Sequence, residues 1–311
     1  MTAGPGLERL RAGGKAALAR ALAHLEEAPG EADTRALLEA AWAAPCGWAV
    51  GLTGPPGVGK STLASALVGA WRRQGRSVAV LAVDPSSRRT GGALLGDRTR
   101  LALDPEDEQL FVRSMAARDR LGGVASLCFP ALVLLRALFD RVLIETVGVG
   151  QSETEIADLA DTVLLAVQPA AGDSLQFLKA GIVEIPDLAV VTKADLGAVA
   201  ERSARELEAA LALAAPPDRP RPPVVLVSAS RGQGLDALLD ALETRIRAGA
   251  GEAAARRSAQ ARRWLEEELR AEAGRRVVAR LADRLDAAAP APFEGLATLL
   301  TELDPPLAER G

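Results

Sequence analysis

Between Gly54 and Thr62 the chain reads Gly-Pro-Pro-Gly-Val-Gly-Lys-Ser-Thr. The apolar run WAVGLT (48–53) leads into it and the helical pattern LASALVGAWRR follows. This is GxxxxGK[ST] between a strand and a helix, the context that confirms the motif. Gly54, Gly57 and Gly59 let backbone N–H groups turn inward around phosphate oxygens with no Cβ in the way. Pro55, Pro56 and Val58 complete the loop. The helix that starts at Lys60 adds the partial positive charge of its N-terminus. Lys60 is placed to reach β- and γ-phosphates, and Ser61, with Thr62 beside it, to offer a hydroxyl to Mg²⁺.

Three later segments narrow the nucleotide. Leu143-Ile144-Glu145-Thr146-Val147-Gly148 closes a strand with an acid followed by a glycine three residues on. That is the place for a metal-site carboxylate and for a backbone N–H that senses the γ-phosphate. Thr192-Lys193-Ala194-Asp195 closes another strand. A carboxylate at Asp195 can accept from both the ring imino and the exocyclic amino group of guanine, a pair that adenine lacks. Ser228-Ala229-Ser230 closes the last strand, where a backbone N–H meets a guanine carbonyl. All four segments fall at strand C-termini, the edge where open α/β sheets bind ligands. Thr192 stands where GTPases usually have Asn. It is too short both to brace the phosphate loop and to meet the imidazole edge of guanine. An ATP-using kinase or transport ATPase is the alternative reading, and a nucleotide-binding scaffold without essential hydrolysis is another.

These residues need a parallel sheet to hold them at one edge. Besides 48–53, the runs SVAVLAV (77–83), RVLIET (141–146), TVLLAV (162–167), LAVVT (188–192) and VVLVS (224–228) read as strands, several apolar throughout as buried parallel strands are. Helical patterns near 60–73, 123–139, 198–213 and 234–247 alternate with them, which implies βαβ units. The expected fold is α/β, a P-loop NTPase with a mostly parallel sheet and helices on both faces. Residues 1–46 form an N-terminal helical extension, a hairpin broken at Pro29-Gly30; 47–248 form the nucleotide domain; 249–311 form a helical arm suited to dimerisation.

Composition removes other classes. The 311 residues are 49% hydrophobic and 25% charged, enough for a sizeable core. The net charge is −4, the aromatics are five Phe and four Trp with no Tyr, and no basic stripe interleaves with them. Nucleic acid is therefore not an expected partner. The longest apolar stretch, Val124 to Phe139, is interrupted by Pro130 and Arg136 and too short to span a bilayer. With no leader pattern at the N-terminus, a cytoplasmic location is expected. Cys46 and Cys128 lack metal spacing and read as small core residues, and the single His24 reads as a structural residue in a helix.

Four stretches, GLTGPPGVGKST (51–62), VLAVDPSSRRTGGALLGDRTRL (80–101), IETVGVGQSE (144–153) and QPAAGDSLQFLK (168–179), closely resemble the MeaB/ArgK-type GTPases. These are relatives of the methylmalonic aciduria type A protein within the wider group of metallochaperone GTPases. The resemblance covers about 10–247 well and the tail loosely. It implies a Mg²⁺-dependent GTP hydrolase, a homodimer, that chaperones an adenosylcobalamin-dependent acyl-CoA mutase acting on methylmalonyl-CoA or isobutyryl-CoA. It implies that Asp84, Asp97 and Glu145 serve metal binding and catalysis. Together with Ser61 they make an oxygen-rich shell of the kind Mg²⁺ takes. Ser86 to Gly92 would belong to a first switch, with Arg88 or Arg89 as an internal arginine finger. Asp173, Gln176 and Lys179 would form a third switch that transmits nucleotide state, their spacing of three placing them on one side of a helical turn. Val149 occupies the place where small GTPases carry the water-orienting Gln. Slow unassisted hydrolysis is therefore expected, with Gln151 or a partner completing the site.

Overall fold

The computed structural model describes residues 5–84, 104, 106–116, 125–146, 156–169, 185–214, 220–273, 278 and 281–303. They fall into two compact units: Trp48–Ala116 with Phe139–Gly251, and Met1–Gly47 with Ala117–Leu138 and Glu252–Gly311.

The first unit is built on seven parallel strands: β1 (Trp48–Thr53), β2 (Val78–Asp84), β3 (Leu110–Ala116), β4 (Arg141–Thr146), β5 (Thr162–Val167), β6 (Leu188–Val191) and β7 (Val224–Leu226). Their order is β3-β2-β4-β1-β5-β6-β7, so β1 lies at the centre. Residues of β1, β5 and β6 are buried on both faces, which is why these strands read as unbroken apolar runs. Among the described residues, three α-helices belong to this unit: α3 (Lys60–Arg73), α5 (Ala198–Ala214) and α6 (Leu235–Gly249). Helix α5 lays Ala200, Ala204, Leu207 and Leu211 on Leu165, Val167, Ala189 and Val191, helical spacing meeting strand alternation.

The ends of the strands where the chain enters the sheet are tied by carboxylates. Asp140, Asp161 and Asp187 each stand one residue before a strand. The Asp140 Oδ2 accepts from the Ser77 N–H at 2.8 Å, Asp161 Oδ2 from Ala49 N–H at 2.8 Å, and Asp187 Oδ2 from Val163 N–H at 2.9 Å. Each fastens its own strand to a neighbour. The pattern sits opposite the edge that carries the motifs.

One strand escaped the sequence reading. β3 pairs with β2 from Leu110 to Ala116. As an edge strand it carries Arg113 and Ser114, which break the apolar run that marked the others. Its Phe111 stacks on Phe139, ring centroids 6.1 Å apart.

The second unit is helical. α1 (Pro5–Glu27) and α2 (Ala32–Trp42) form the expected hairpin, with α1 broken at Gly14, whose φ is 60°. The chain after Glu252 supplies α7 (Ala253–Ala273), α8 (Ala282–Ala288) and α9 (Pro292–Leu303). They are joined by α4 (Ala125–Leu138), which the sequence reading assigned to the sheet domain. The described side chains from Cys128 to Leu135 are all buried, so α4 runs through the middle of this unit. Phe129 packs on Trp42, Trp264 and Phe293 at centroid distances of 5.9, 5.2 and 6.2 Å. One aromatic cluster thus joins α2, α4, α7 and α9. Cys128 is buried as expected, whereas Cys46 is exposed, its Sγ 3.3 Å from the Arg136 carbonyl. His24 is half-exposed and pairs with Glu31.

Candidate functional site

The described motif residues collect where the strands end. β1 finishes at Thr53 and turns into the glycine-rich loop, where Gly54, Gly57 and Gly59 have φ of 144°, 77° and 95°. Gly54 is required for space as well: a Cβ there would lie 2.1 Å from the Ala166 carbonyl oxygen of β5. The loop therefore presses against the neighbouring strand in a way no side chain permits. Val58 is buried, while Pro56 and Gly57 are exposed.

Helix α3 begins at Lys60 with Gly59 as its N-cap and no side-chain cap. Its first N–H groups are thus not taken by a capping oxygen, and the positive end of the helix faces the loop. Lys60 is buried, and its Nζ donates to the carbonyls of Gly54 at 2.6 Å and Pro55 at 2.9 Å. The ammonium therefore lies across the loop it is meant to serve. Thr62, next along, is exposed.

Register places the acid. Leu52 of β1 pairs with Glu145 of β4, and the Ser61 Oγ donates to Glu145 Oε1 at 2.7 Å. A hydroxyl from the first helical turn and a carboxylate from the adjacent strand thus meet beside the phosphate loop. The backbone of Asp84 ends β2, one residue past the pairing of Val83 with Thr146. Its side chain lies outside what the structure describes. Asp97, Ser86 to Gly92, Gly148, Val149, Gln151, Asp173, Gln176 and Lys179 also lie outside the described residues. Among the described residues no three His, Cys, Asp or Glu side chains converge as a metal cluster. The pair that does converge, Ser61 and Glu145, offers only oxygen, the donor type Mg²⁺ takes.

At the other end of the edge, Lys193 adopts φ 53°, and its Nζ donates to Gln168 Oε1 at 2.6 Å. Asp195 sits in the 3₁₀ turn Ala194–Leu196. A hydrogen bond from the Ser228 hydroxyl holds its carboxyl below the usual carboxylate range, outweighing the opposing effect of desolvation, with its own N–H and Arg231 in support. Arg231 Nε lies 3.6 Å from Asp195 Oδ2. Ser228 is buried and exchanges backbone hydrogen bonds with Gln233, closing a turn that contains Ala229 and Ser230. The Ala194 N–H donates to the Val227 carbonyl at 3.2 Å and joins the two loops.

Thr192 links the two ends. It is buried, and its Oγ1 lies 2.7 Å from the Val58 carbonyl and 3.1 Å from that of Val167. The bracing role expected of Asn is therefore carried out by the shorter side chain. Gln168, directly after β5, was given no role from sequence, although it opens the stretch 168–179 that carries the family resemblance.

A family model described as methylmalonyl-CoA mutase-associated GTPase MeaB matches residues 18–282, so the match runs beyond the sheet unit into the helical tail, farther than the motifs alone reached. A protein of Mycobacterium tuberculosis named as a GTPase is 47% identical over 221 residues, 69% of this chain and 66% of the relative. The chain thus spans just under two thirds of that relative's length. The mouse methylmalonic aciduria type A homolog, a protein named as mitochondrial, is 41% identical over 227 residues, 71% of this chain and 55% of the relative. Among solved structures, one named as a LAO/AO transport system kinase is similar with a TM-score of 0.67 and 28% identity, covering 96% of each chain. The seven-stranded sheet, the phosphate loop at its edge and these matches agree: the chain belongs to the MeaB family of P-loop GTPases.

Proposed function

We propose that this chain is a Mg²⁺-dependent GTP hydrolase that serves an adenosylcobalamin-dependent acyl-CoA mutase, such as methylmalonyl-CoA or isobutyryl-CoA mutase. Nucleotide turnover gates loading of the mutase cofactor and protects the enzyme from inactivation. The observation that carries the hydrolase half is the meeting of Ser61 and Glu145 at 2.7 Å beside a loop that holds Lys60. The mutase half is supported by the name of the family whose model matches.

In this reading the loop N–H groups and the N-terminus of α3 bind the polyphosphate, and phosphate oxygens replace the carbonyls now accepting from Lys60. Ser61 and Glu145, with Asp84 and Asp97, would hold Mg²⁺, which neutralises charge developing on the phosphate oxygens. Asp195 reads guanine, ordered by Ser228, with Lys193, Ala229 and Ser230 completing the base pocket and Gly148 sensing the γ-phosphate. Asp173, Gln176 and Lys179 carry nucleotide state to the mutase. A homodimer built through the helical arm and a cytoplasmic location complete the proposal. No helix among the described residues is long and apolar enough to cross a membrane.

The test is single-turnover GTP hydrolysis by the protein alone and with a candidate mutase. Alone, turnover should be of order 10⁻⁴ to 10⁻² per second, rising by about a hundredfold or more with the partner. Rapid hydrolysis by the lone protein contradicts a partner-completed site. Lys60→Ala should abolish mutase protection; if protection persists, the protein is a scaffold. The kinase name of the similar solved structure keeps a second reading in play, an ATP-using kinase. Comparing GTP with ATP affinity separates the two, because Asp195 has partners on guanine only.

A further inference from the structure

Thr192 stands between the base-reading loop and the phosphate loop, and a hydroxyl has one proton to give. That proton faces two backbone carbonyls, Val58 at 2.7 Å and Val167 at 3.1 Å. The first belongs to the phosphate loop, the second to the end of β5. The Thr192 N–H also donates to the Val167 carbonyl, at 2.8 Å. The residue is only 6% exposed, so its hydroxyl is not presented to a ligand. A purine N7 is an acceptor and needs a donor; the only donor on this side chain is already engaged inside the protein.

We infer that Thr192 is a positioning residue for the phosphate loop and takes no part in reading the base. Its hydroxyl fixes the carbonyl of Val58, and with it the peptide that leads into Gly59 and Lys60. Losing that tie loosens the loop for any nucleoside triphosphate, whatever its base. Base choice then rests on the Watson–Crick edge, through Asp195. The inference rests on the proposed nucleotide site, and it separates two tasks that one longer side chain would combine.

The experiment measures binding of GTP and 7-deaza-GTP, both with Mg²⁺, to the wild type, Thr192→Val and Thr192→Ser. 7-Deaza-GTP lacks the N7 acceptor and keeps the rest of guanine. Valine keeps the shape of threonine but leaves the Val58 carbonyl without its donor. Thr192→Val should weaken both nucleotides by the same factor, about tenfold. Thr192→Ser should restore most of the affinity for both. The ratio of the two affinities should be unchanged across the three proteins. Should Thr192→Val not fold, Thr192→Ala replaces it, with the same expectation of a common factor. A loss confined to GTP would show that Thr192 reads N7 and would overturn the inference, as would a variant that binds both nucleotides like the wild type. If the wild type binds neither nucleotide, the site itself fails and the inference with it. A base-dependent loss leaves the site standing and removes only the inference.

Discussion

The residue that sets base choice is Asp195. Its carboxyl is held in the ionised form by the Ser228 hydroxyl, with Arg231 3.6 Å away. A lowered pKa keeps the acceptor charged, so guanine affinity should stay level from about pH 5 to pH 8 and fall only as the pH drops below about 4. Asp195→Asn replaces two acceptor positions by one acceptor and one donor. GTP affinity should fall about a hundredfold, and xanthosine triphosphate, with a carbonyl in place of the amino group, should bind better than GTP. Calorimetric titration with the two nucleotides checks this. Unchanged GTP affinity would remove Asp195 from the base pocket.

At the scale of elements, the phosphate loop depends on how closely it lies against β5. Gly54→Ala would set a methyl group 2.1 Å from the Ala166 carbonyl, at a φ of 144° that side chains rarely take. Neither the strand nor the loop can yield without losing register. The variant should be destabilised by about 1–3 kcal/mol and bind nucleotide at least tenfold more weakly. Thermal unfolding and a GTP titration measure the two effects. The opposite edge gives a pH signature. Burial raises the Asp140 carboxyl, but hydrogen bonds from the Ser77 N–H and hydroxyl, with Arg76 and Arg141 nearby, outweigh it, and the net shift is downward. A depressed carboxyl contributes stability that is complete above its unfolded value, near 3.9, and is lost as the pH falls through the folded value. Asp140→Asn should therefore cost about 0.5–1.5 kcal/mol at pH 7 and reduce the loss of stability below about pH 4. Denaturant unfolding at pH 7 and pH 3.5 decides; an equal cost at both would place the effect elsewhere.

Across the whole molecule, few aromatics are available and four of them meet in one place. Phe129 touches Trp42, Trp264 and Phe293, and Trp264 lies 5.1 Å from Phe293. Removing the central ring opens a cavity among rings held by three other helices. Phe129→Ala should cost about 3–5 kcal/mol, read as a loss of unfolding free energy in denaturant titration. A cost under about 1 kcal/mol would mean that the helical unit has another core. Arg136 is buried in the same unit, its guanidinium 3.3 Å from Gln260 Oε1 on α7. Polar and aromatic contacts therefore both join the mid-chain helix to the C-terminal segment.

The sequence by itself determined the local parts. Six strands, the hairpin at the N-terminus and the glycine-rich loop were legible because each is specified by neighbours in the chain: apolar runs, a breaker at Pro29-Gly30, three glycines at fixed spacing before Lys60. β3 was not legible, since an edge strand with Arg113 and Ser114 need not be apolar throughout. The grouping of α4 with both ends of the chain was decided only in three dimensions, because a mostly apolar helix announces burial without naming its partners. The same holds at the candidate site. The residue types of Ser61, Glu145, Asp195 and Ser228 could be read one by one. That Ser61 faces Glu145, that Ser228 orders Asp195, and that Thr192 gives its proton to Val58 depends on strand order and register. Hydrogen bonds between residues far apart in the chain carry no periodicity and leave no local pattern to read.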